Sequence, residues 1–253
     1  MPETNIYGIH PVAEALKSDR QIIGKIFIAP GKHAGALRDL VRLARKKRIP
    51  IREAPPDVLT RMVQSQHHQG VVAVSAALPY TPWEELIRLI RETKNKRVRL
   101  LLLDSIEDPQ NFGSLIRTAE ASGVLGIVIP KDRAAGITPA VAKSSAGAVA
   151  HMPVVRVTNL VHTMEELKEE GFWIVGADIG GAKDLYEMKF DMNIALVIGS
   201  EGKGLRPLVL KKCDFTVRIP MQGKIASLNA AVSGAIILFE ILRQDRAETS
   251  AAG

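Results

Sequence analysis

The sequence predicts an α/β protein built on a parallel sheet, with a second, smaller α/β unit in front of it. Three observations carry this. Continuous apolar runs such as "VRLLLL", "LGIVI" and "ALVIG" recur along the second half, as strands covered on both faces require. Helical patterns separate them, which is the signature of a parallel sheet with helices on its faces. A first strand–helix alternation precedes them, set off by a proline-punctuated, charged stretch.

The elements follow in order. Residues 10–18 read as a helix and 22–28, "IIGKIFI", as a strand. Residues 35–48 form a basic amphipathic helix with Leu37, Leu40, Val41 and Ala44 on one face. A short strand at 49–53 follows. Pro55-Pro56 opens a helix over 57–65, and "GVVAVSA" is a strand that closes the small unit, residues 1–77. The stretch 78–97, "LPYTPWEELIRLIRETKNKR", reads as a linker with a helix over 82–92. A second domain, 98–253, then carries strands at 98–103, 125–129, 153–157, 173–177, 194–198 and 215–219. Its helices are expected at 111–122, 138–147, 159–170, 205–212 and 227–243. The polar tail "DRAETSAAG" reads as unstructured.

Composition narrows the function. Hydrophobic residues make up 46% of 253, enough for a real core. The single Cys213 forms no internal disulfide and fits a reducing, cytoplasmic setting. No secretory signal or membrane-length apolar run is visible, so no membrane role is expected. Net charge is +7 and the sequence pI about 9.6. That exceeds the value of about 9 that marks a nucleic-acid footprint. The charge is concentrated: Arg38, Arg42, Arg45, Lys46 and Lys47 crowd the helix at 35–48. Aromatics are only 4%, so phosphate contact is expected rather than base stacking. The six histidines show no ligand spacing, and no metal is expected.

Three loops at the carboxyl ends of expected strands carry the candidate chemistry. The first is "LDSIEDPQNFGSLIRTAEASG". Asn111 reads as the N-cap of a helix, with Arg117 on or near the face of Asn111 and Ser114. The second is "IGSEGKGL". It matches neither the P-loop nor the G-x-G-x-x-G spelling, and Glu201 would repel a pyrophosphate. Its three glycines suit close backbone approach to something other than nucleotide phosphates. The third, "IPMQGKIASLNAAVSGAIILFEIL", brings Ser227 and Asn229 to the first turn of a long helix, with Ser227 a natural cap.

Taken together, N-x-G-x-x-x-R, G-x-E-G-x-G and I-P-M-x-G-x-x-x-S-L-N resemble the three motifs of the SpoU (TrmH) family of RNA 2′-O-ribose methyltransferases, within the SPOUT superfamily. "NIYGIHPVAEAL" and "HHQGVVA" are similar to the accessory domain of the subfamily acting on guanosine in 23S ribosomal RNA. The resemblance runs from about Asn5 to Arg243. It implies a methyltransferase domain whose C-terminal part is threaded as a trefoil knot, an L30e-like RNA-binding domain before it, S-adenosylmethionine as cofactor, and a homodimer. By position it implies cofactor contacts at Ala177, Gly199, Ser200, Gly202, Ile219, Met221 and Leu228. It implies a catalytic set of Asn111, Arg117, Glu201, Ser227 and Asn229, with Arg117 as base or as phosphate-binding group. The basic helix would then hold the RNA backbone through Arg38, Arg42, Arg45, Lys46 and Lys47. Two alternatives stand beside ribosomal RNA methylation: a relative acting on tRNA, and a non-catalytic RNA-binding ribosome assembly factor. A nicotinamide dehydrogenase fits the alternation but lacks the fingerprint.

Overall fold

The run "VVAVSA" is apolar enough to be covered on both faces, and it becomes an inner strand. The computed structural model describes residues 3–31, 35–93 and 97–251, and the run forms β4 (Val71–Ala76). β1 (Glu3–Tyr7) and β2 (Ile23–Ile28) flank it in antiparallel register, and β3 (Ile51–Glu53) lies parallel to β2. Helices α1 (Ile9–Lys17), α2 (Gly35–Lys46) and α3 (Pro56–Val63) supply the rest of the expected alternation. The sequence reading lacks β1, because only Ile6 of its five residues is buried and no apolar run announces it. Helix α2 buries Leu40, Val41 and Ala44 and leaves Arg38, Arg42, Arg45 and Lys46 exposed, with exposed Lys47 just beyond. His33 falls in 32–34 and, like 94–96 of the expected linker, lies outside the described residues.

Two segments depart from the expected division. The chain forms two units, one of Met1–Pro79 with Gly136–His151, the other of Tyr80–Ala135 with Met152–Gly253. Residues 136–151 join the first unit through side chains that no periodicity reveals. His151 Nε2 meets a Glu14 carboxylate oxygen at 2.9 Å, and Lys143 Nζ donates to the His67 carbonyl at 3.2 Å. Two neighbours hold the Glu14 carboxyl below the usual carboxylate range against the opposing effect of its burial: Lys17 and His151. The segment carries a short helix (Pro139–Ser144) and a 3-10 turn (Ala148–Ala150) where one helix over 138–147 was expected. The stretch 78–97 is not a bare connection: a helix over Trp83–Glu92 buries Leu86 and Ile90, spaced i and i+4, in the core of the second unit.

In the second unit the order along the chain is β5 (Arg99–Asp104), α5 (Pro109–Ala121), β6 (Gly126–Pro130), β7 (Val154–Val157), α7 (Leu160–Glu169), β8 (Trp173–Ala177), β9 (Lys183–Asp184), β10 (Ile194–Gly199), α8 (Pro207–Lys212), β11 (Phe215–Arg218) and α9 (Ala230–Ala251), the Trp83–Glu92 and Pro139–Ser144 helices being α4 and α6. The strands form one parallel sheet in the order β7-β6-β5-β10-β8-β11-β9. Leu100 and Leu102 of β5 face a core shared with α4, α7 and α8. Leu101 and Leu103, also buried, face the opposite side by the two-residue period of a strand, where α5 and α9 pack on each other.

Helix α9 begins three residues later than expected and runs through the tail expected to be unstructured. Polar anchors explain the extension. Gln244 donates to the Met188 carbonyl and accepts from the Phe190 amide, at 2.9 and 3.0 Å. Asp245 pairs with Arg97 and with buried Arg99, at 3.2 and 2.8 Å. Arginine also pulls the buried Glu240 carboxyl below its ordinary range, through Arg243 one turn on.

Candidate active site

In open parallel sheets ligands sit beyond the carboxyl ends of the strands. Here the turns after β8, β10 and β11 and the run into α9 enclose a cavity of about 770 Å³. Small-molecule sites occupy roughly 300–1,000 Å³. All seven expected cofactor residues line it: Ala177 at the end of β8, Gly199 at the end of β10 with Ser200 and Gly202 after it, and Ile219, Met221 and Leu228 after β11. Glu201 and Ser227 of the expected catalytic set line it too, whereas Asn111, Arg117 and Asn229 do not. Ile198, Val217 and Ile237 add apolar wall.

The glycine turn closes on itself. Ser200 and Gly204 pair as a small antiparallel bridge, with N–H···O distances of 3.2 and 2.9 Å. A Cβ on Gly199 would lie 2.3 Å from the Gly204 carbonyl carbon and 2.5 Å from the Leu205 nitrogen. So the glycine is demanded by the loop's own backbone, and the narrow turn leaves its peptide edge on the cavity. Glu201, at the turn's crown, accepts from Asn111 Nδ2 at 3.1 Å and from the Ala230 amide at 3.4 Å. One carboxylate thus ties the first motif, the second motif and the start of α9 together.

That contact corrects the reading of Asn111. Asp108, not Asn111, caps α5: its Oδ2 accepts the Asn111 amide at 2.9 Å, and Pro109 takes the first helical position, where its missing N–H costs nothing. Asn111 is therefore inside the first turn, with its side chain free to reach Glu201. Arg117, six residues on, points about 120° around the axis from Asn111. It is exposed and makes no hydrogen bond or ion pair among the described residues, so it neither shares Asn111's contact nor pairs with Glu120. The cap of α9 is likewise Asn229 rather than Ser227: Asn229 Oδ1 accepts the Val232 amide at 2.7 Å. Asn229 spends its side chain on the helix, and exposed Ser227 keeps its hydroxyl on the cavity.

Sequence reasoning missed several lining residues. Asp178, Asp184, Lys203 and Arg218 bring charges of both signs to the cavity. Asp178 directly follows β8, so inspecting the loop beyond that strand's carboxyl end could have found it. Asp184 had no such signal, because β9 is two residues long. Also missed was Asp104, the buried last residue of β5. It stands opposite Gly199 in the register and accepts from the Arg206 amide and Nε at 2.8 and 2.6 Å. Behind the sheet Cys213 donates to the Val209 carbonyl, and burial pushes its thiol up to about 12, helped by neighbouring Asp214. Among the described residues no three His, Cys, Asp or Glu side chains gather as a metal site, and no helix is long and apolar enough to cross a membrane.

Comparison with known proteins gives one consistent result. Residues 98–239 match the SpoU rRNA Methylase family, and residues 5–81 match the RNA 2′-O ribose methyltransferase substrate binding domain. The chain is 47% identical over 239 residues to YacO of Bacillus subtilis (strain 168), named for the TrmH family of tRNA/rRNA methyltransferases, covering 94% of this chain and 95% of that one. A similarly named Staphylococcus haemolyticus protein is 41% identical over 244 residues, covering 96% and 97%. Among solved structures, the SpoU methyltransferase AviRb from Streptomyces viridochromogenes in complex with AdoMet superposes with a TM-score of 0.79 at 27% identity, covering 97% of this chain and 91% of that one.

Proposed function

The chain belongs to the SpoU rRNA methylase family of RNA methyltransferases, and from that premise we propose that it methylates the ribose 2′-oxygen of a guanosine in large-subunit (23S) ribosomal RNA, with S-adenosylmethionine as donor. The observation that carries the reading is the cavity beyond β8, β10 and β11. Every expected cofactor position opens onto it, and the Asn111–Glu201 contact joins two motifs beside it.

The residues fit such a cofactor. The volume suits a nucleoside-sized ligand, and Ile198, Val217, Ile219, Leu228 and Ile237 offer apolar cover for an adenine and a thioether chain. The peptide groups of 199–204 offer directional polar contacts, and the acids Asp178 and Asp184 suit a cationic ligand. When bound, the cofactor supplies an electrophilic methyl group on a sulfonium.

The chain's own work is positioning and charge. Holding a reactant in line can supply much of a rate enhancement. Glu201 fixes the glycine turn to α5 and α9, which sets where the cavity wall ends. Ser227, exposed at that wall, orients the incoming ribose. Arg117 acts by holding the phosphate beside the target ribose and stabilising charge on the 2′-oxygen. Its place outside its own chain's cavity supports delivery of Arg117 by a partner copy. Val232 and Phe239 on α9, 43% and 48% exposed, support a homodimer. β10 inserted between β5 and β8, with β11 outside β8, supports the family's trefoil threading. In the first unit, the exposed basic row on α2 supports backbone contact with RNA.

The test uses alkali. A ribose lacking a free 2′-hydroxyl blocks cleavage of the following phosphodiester, so label from S-adenosylmethionine should survive alkaline digestion of ribosomal RNA within a dinucleotide. Label released as a mononucleotide would mean base methylation and overturn the proposal.

A further inference from the structure

We infer that Asp104 is a positioning residue for the cofactor, acting through Arg206 to hold the glycine turn against the sheet. The inference rests on reading the cavity as the cofactor site. Asp104 is 0% exposed, a carboxylate fully withdrawn from water at the carboxyl end of β5. Removal of such a charge from water is costly unless it is paired, so its position needs a reason. Both its oxygens accept from Arg206, Oδ2 from the backbone amide at 2.8 Å and Oδ1 from Nε at 2.6 Å, and Oδ1 also takes a longer bond of 3.4 Å from the Ser105 hydroxyl.

The register shows what this does. Gly199, where the turn begins, lies beside Asp104, and Arg206, where it ends, is clamped by it. The turn therefore starts and finishes at one buried carboxylate. Between these points the Ser200–Gly204 bridge, the Glu201 contacts and buried Leu205 also hold it. Asp104 is not among the residues that line the cavity. Its effect reaches the cofactor through the backbone of 199–204, which lines the cavity. A loop fixed at both ends before binding loses less freedom on binding, so the expected signature is in cofactor affinity rather than in the chemical step.

Asp104→Asn is the probe in the full-length protein. An amide keeps one acceptor but turns an NH2 group toward one of the two Arg206 donors. Three readouts are taken: amide hydrogen exchange at 204–206 without ligand, S-adenosylmethionine affinity by calorimetry, and single-turnover rate at saturating cofactor. The expectation is exchange faster by about tenfold, Kd raised by about tenfold, and a rate within about threefold of the parent. Arg206→Ala keeps the backbone bond and loses only the Nε contact, so its Kd should rise by a smaller factor, about threefold. Combined with Asp104→Asn it should add almost nothing, since both act on one clamp. Unchanged exchange and Kd in Asp104→Asn would overturn the inference, as would a fall in rate with Kd preserved. If Asp104→Asn does not fold, an unchanged Kd in Arg206→Ala would overturn it. A parent protein that binds no S-adenosylmethionine would overturn the cofactor reading and the assigned role with it, and faster exchange in Asp104→Asn would then mark the clamp as structural only.

Discussion

Replacing Gly199 by alanine would put a methyl group where the chain already is. The added Cβ would stand 2.3 Å from the Gly204 carbonyl carbon, 2.4 Å from its oxygen and 2.5 Å from the Leu205 nitrogen, when side chains almost never approach closer than 3.0 Å. All three atoms are backbone, so nothing flexible can swing aside. Gly199 is not among the positive-φ residues, so the cost is steric rather than conformational. Gly204 must retreat, and the two Ser200–Gly204 hydrogen bonds of 3.2 and 2.9 Å stretch or break. At about 1 kcal/mol net for each bond, the loss is about 2 kcal/mol, inside the ~1–3 kcal/mol typical of overpacking. For a chain of this size that lowers Tm by roughly 4–8 °C. Cofactor affinity should suffer more, by tenfold or more, because the turn's backbone forms the cavity wall; each tenfold corresponds to about 1.4 kcal/mol. Thermal melting and calorimetric titration with S-adenosylmethionine check both. A Gly199→Ala protein with parental Tm and parental affinity would refute the reasoning, since the turn would then have slack that the geometry denies it.

Other outcomes follow from the same structure. Neutralising Arg45, Lys46 and Lys47 together should weaken RNA binding and flatten its salt dependence by about two to three units of slope, read from affinities across a salt series; an unchanged slope would move the RNA off α2. Cys213, with its thiol pushed up to about 12, should resist alkylation at pH 8 in the folded protein and react on unfolding. Because its folded pKa lies above the ordinary 9.0, the stability it contributes is complete below pH 9 and lost as pH rises toward 12, which a Cys213→Ala comparison of alkaline melting would show. Leu86→Ala should cost about 2–5 kcal/mol in denaturant unfolding, as befits a helix that belongs to the core rather than to a connection. Glu201→Gln should lower methyl transfer and raise the cofactor KM together, since the carboxylate ties Asn111 and Ala230 to the turn; loss of rate with unchanged KM would assign it to chemistry instead.

The sheet was legible because its strands are continuous apolar runs, and such runs have few other uses in a chain of this size. The cavity was legible for a related reason: once strands are located, their carboxyl ends name the loops to inspect. What the sequence concealed rests on single polar contacts or on short elements. β1 and β9 bury too little to announce themselves. Residues 136–151 join the first unit through His151, Lys143 and their partners, which are far away in the chain. The caps moved because a competing residue stood nearby in each case: Asp108 before Pro109 displaced Asn111, and Asn229 displaced Ser227. Asp104 hid at the end of an apolar strand, where a lone acid reads as the last residue before a loop. Its importance depends on Arg206, which lies 102 positions away.

The most direct test of the account is the identity of the methylated nucleoside. Unmodified large-subunit ribosomal RNA and bulk tRNA would each be incubated with the protein and labelled S-adenosylmethionine, then digested to nucleosides and separated. The account predicts label in 2′-O-methylguanosine from ribosomal RNA alone, and none with Arg117→Ala. Label confined to tRNA would contradict the substrate, and no transfer to either RNA from a protein that binds the cofactor would contradict the enzyme reading.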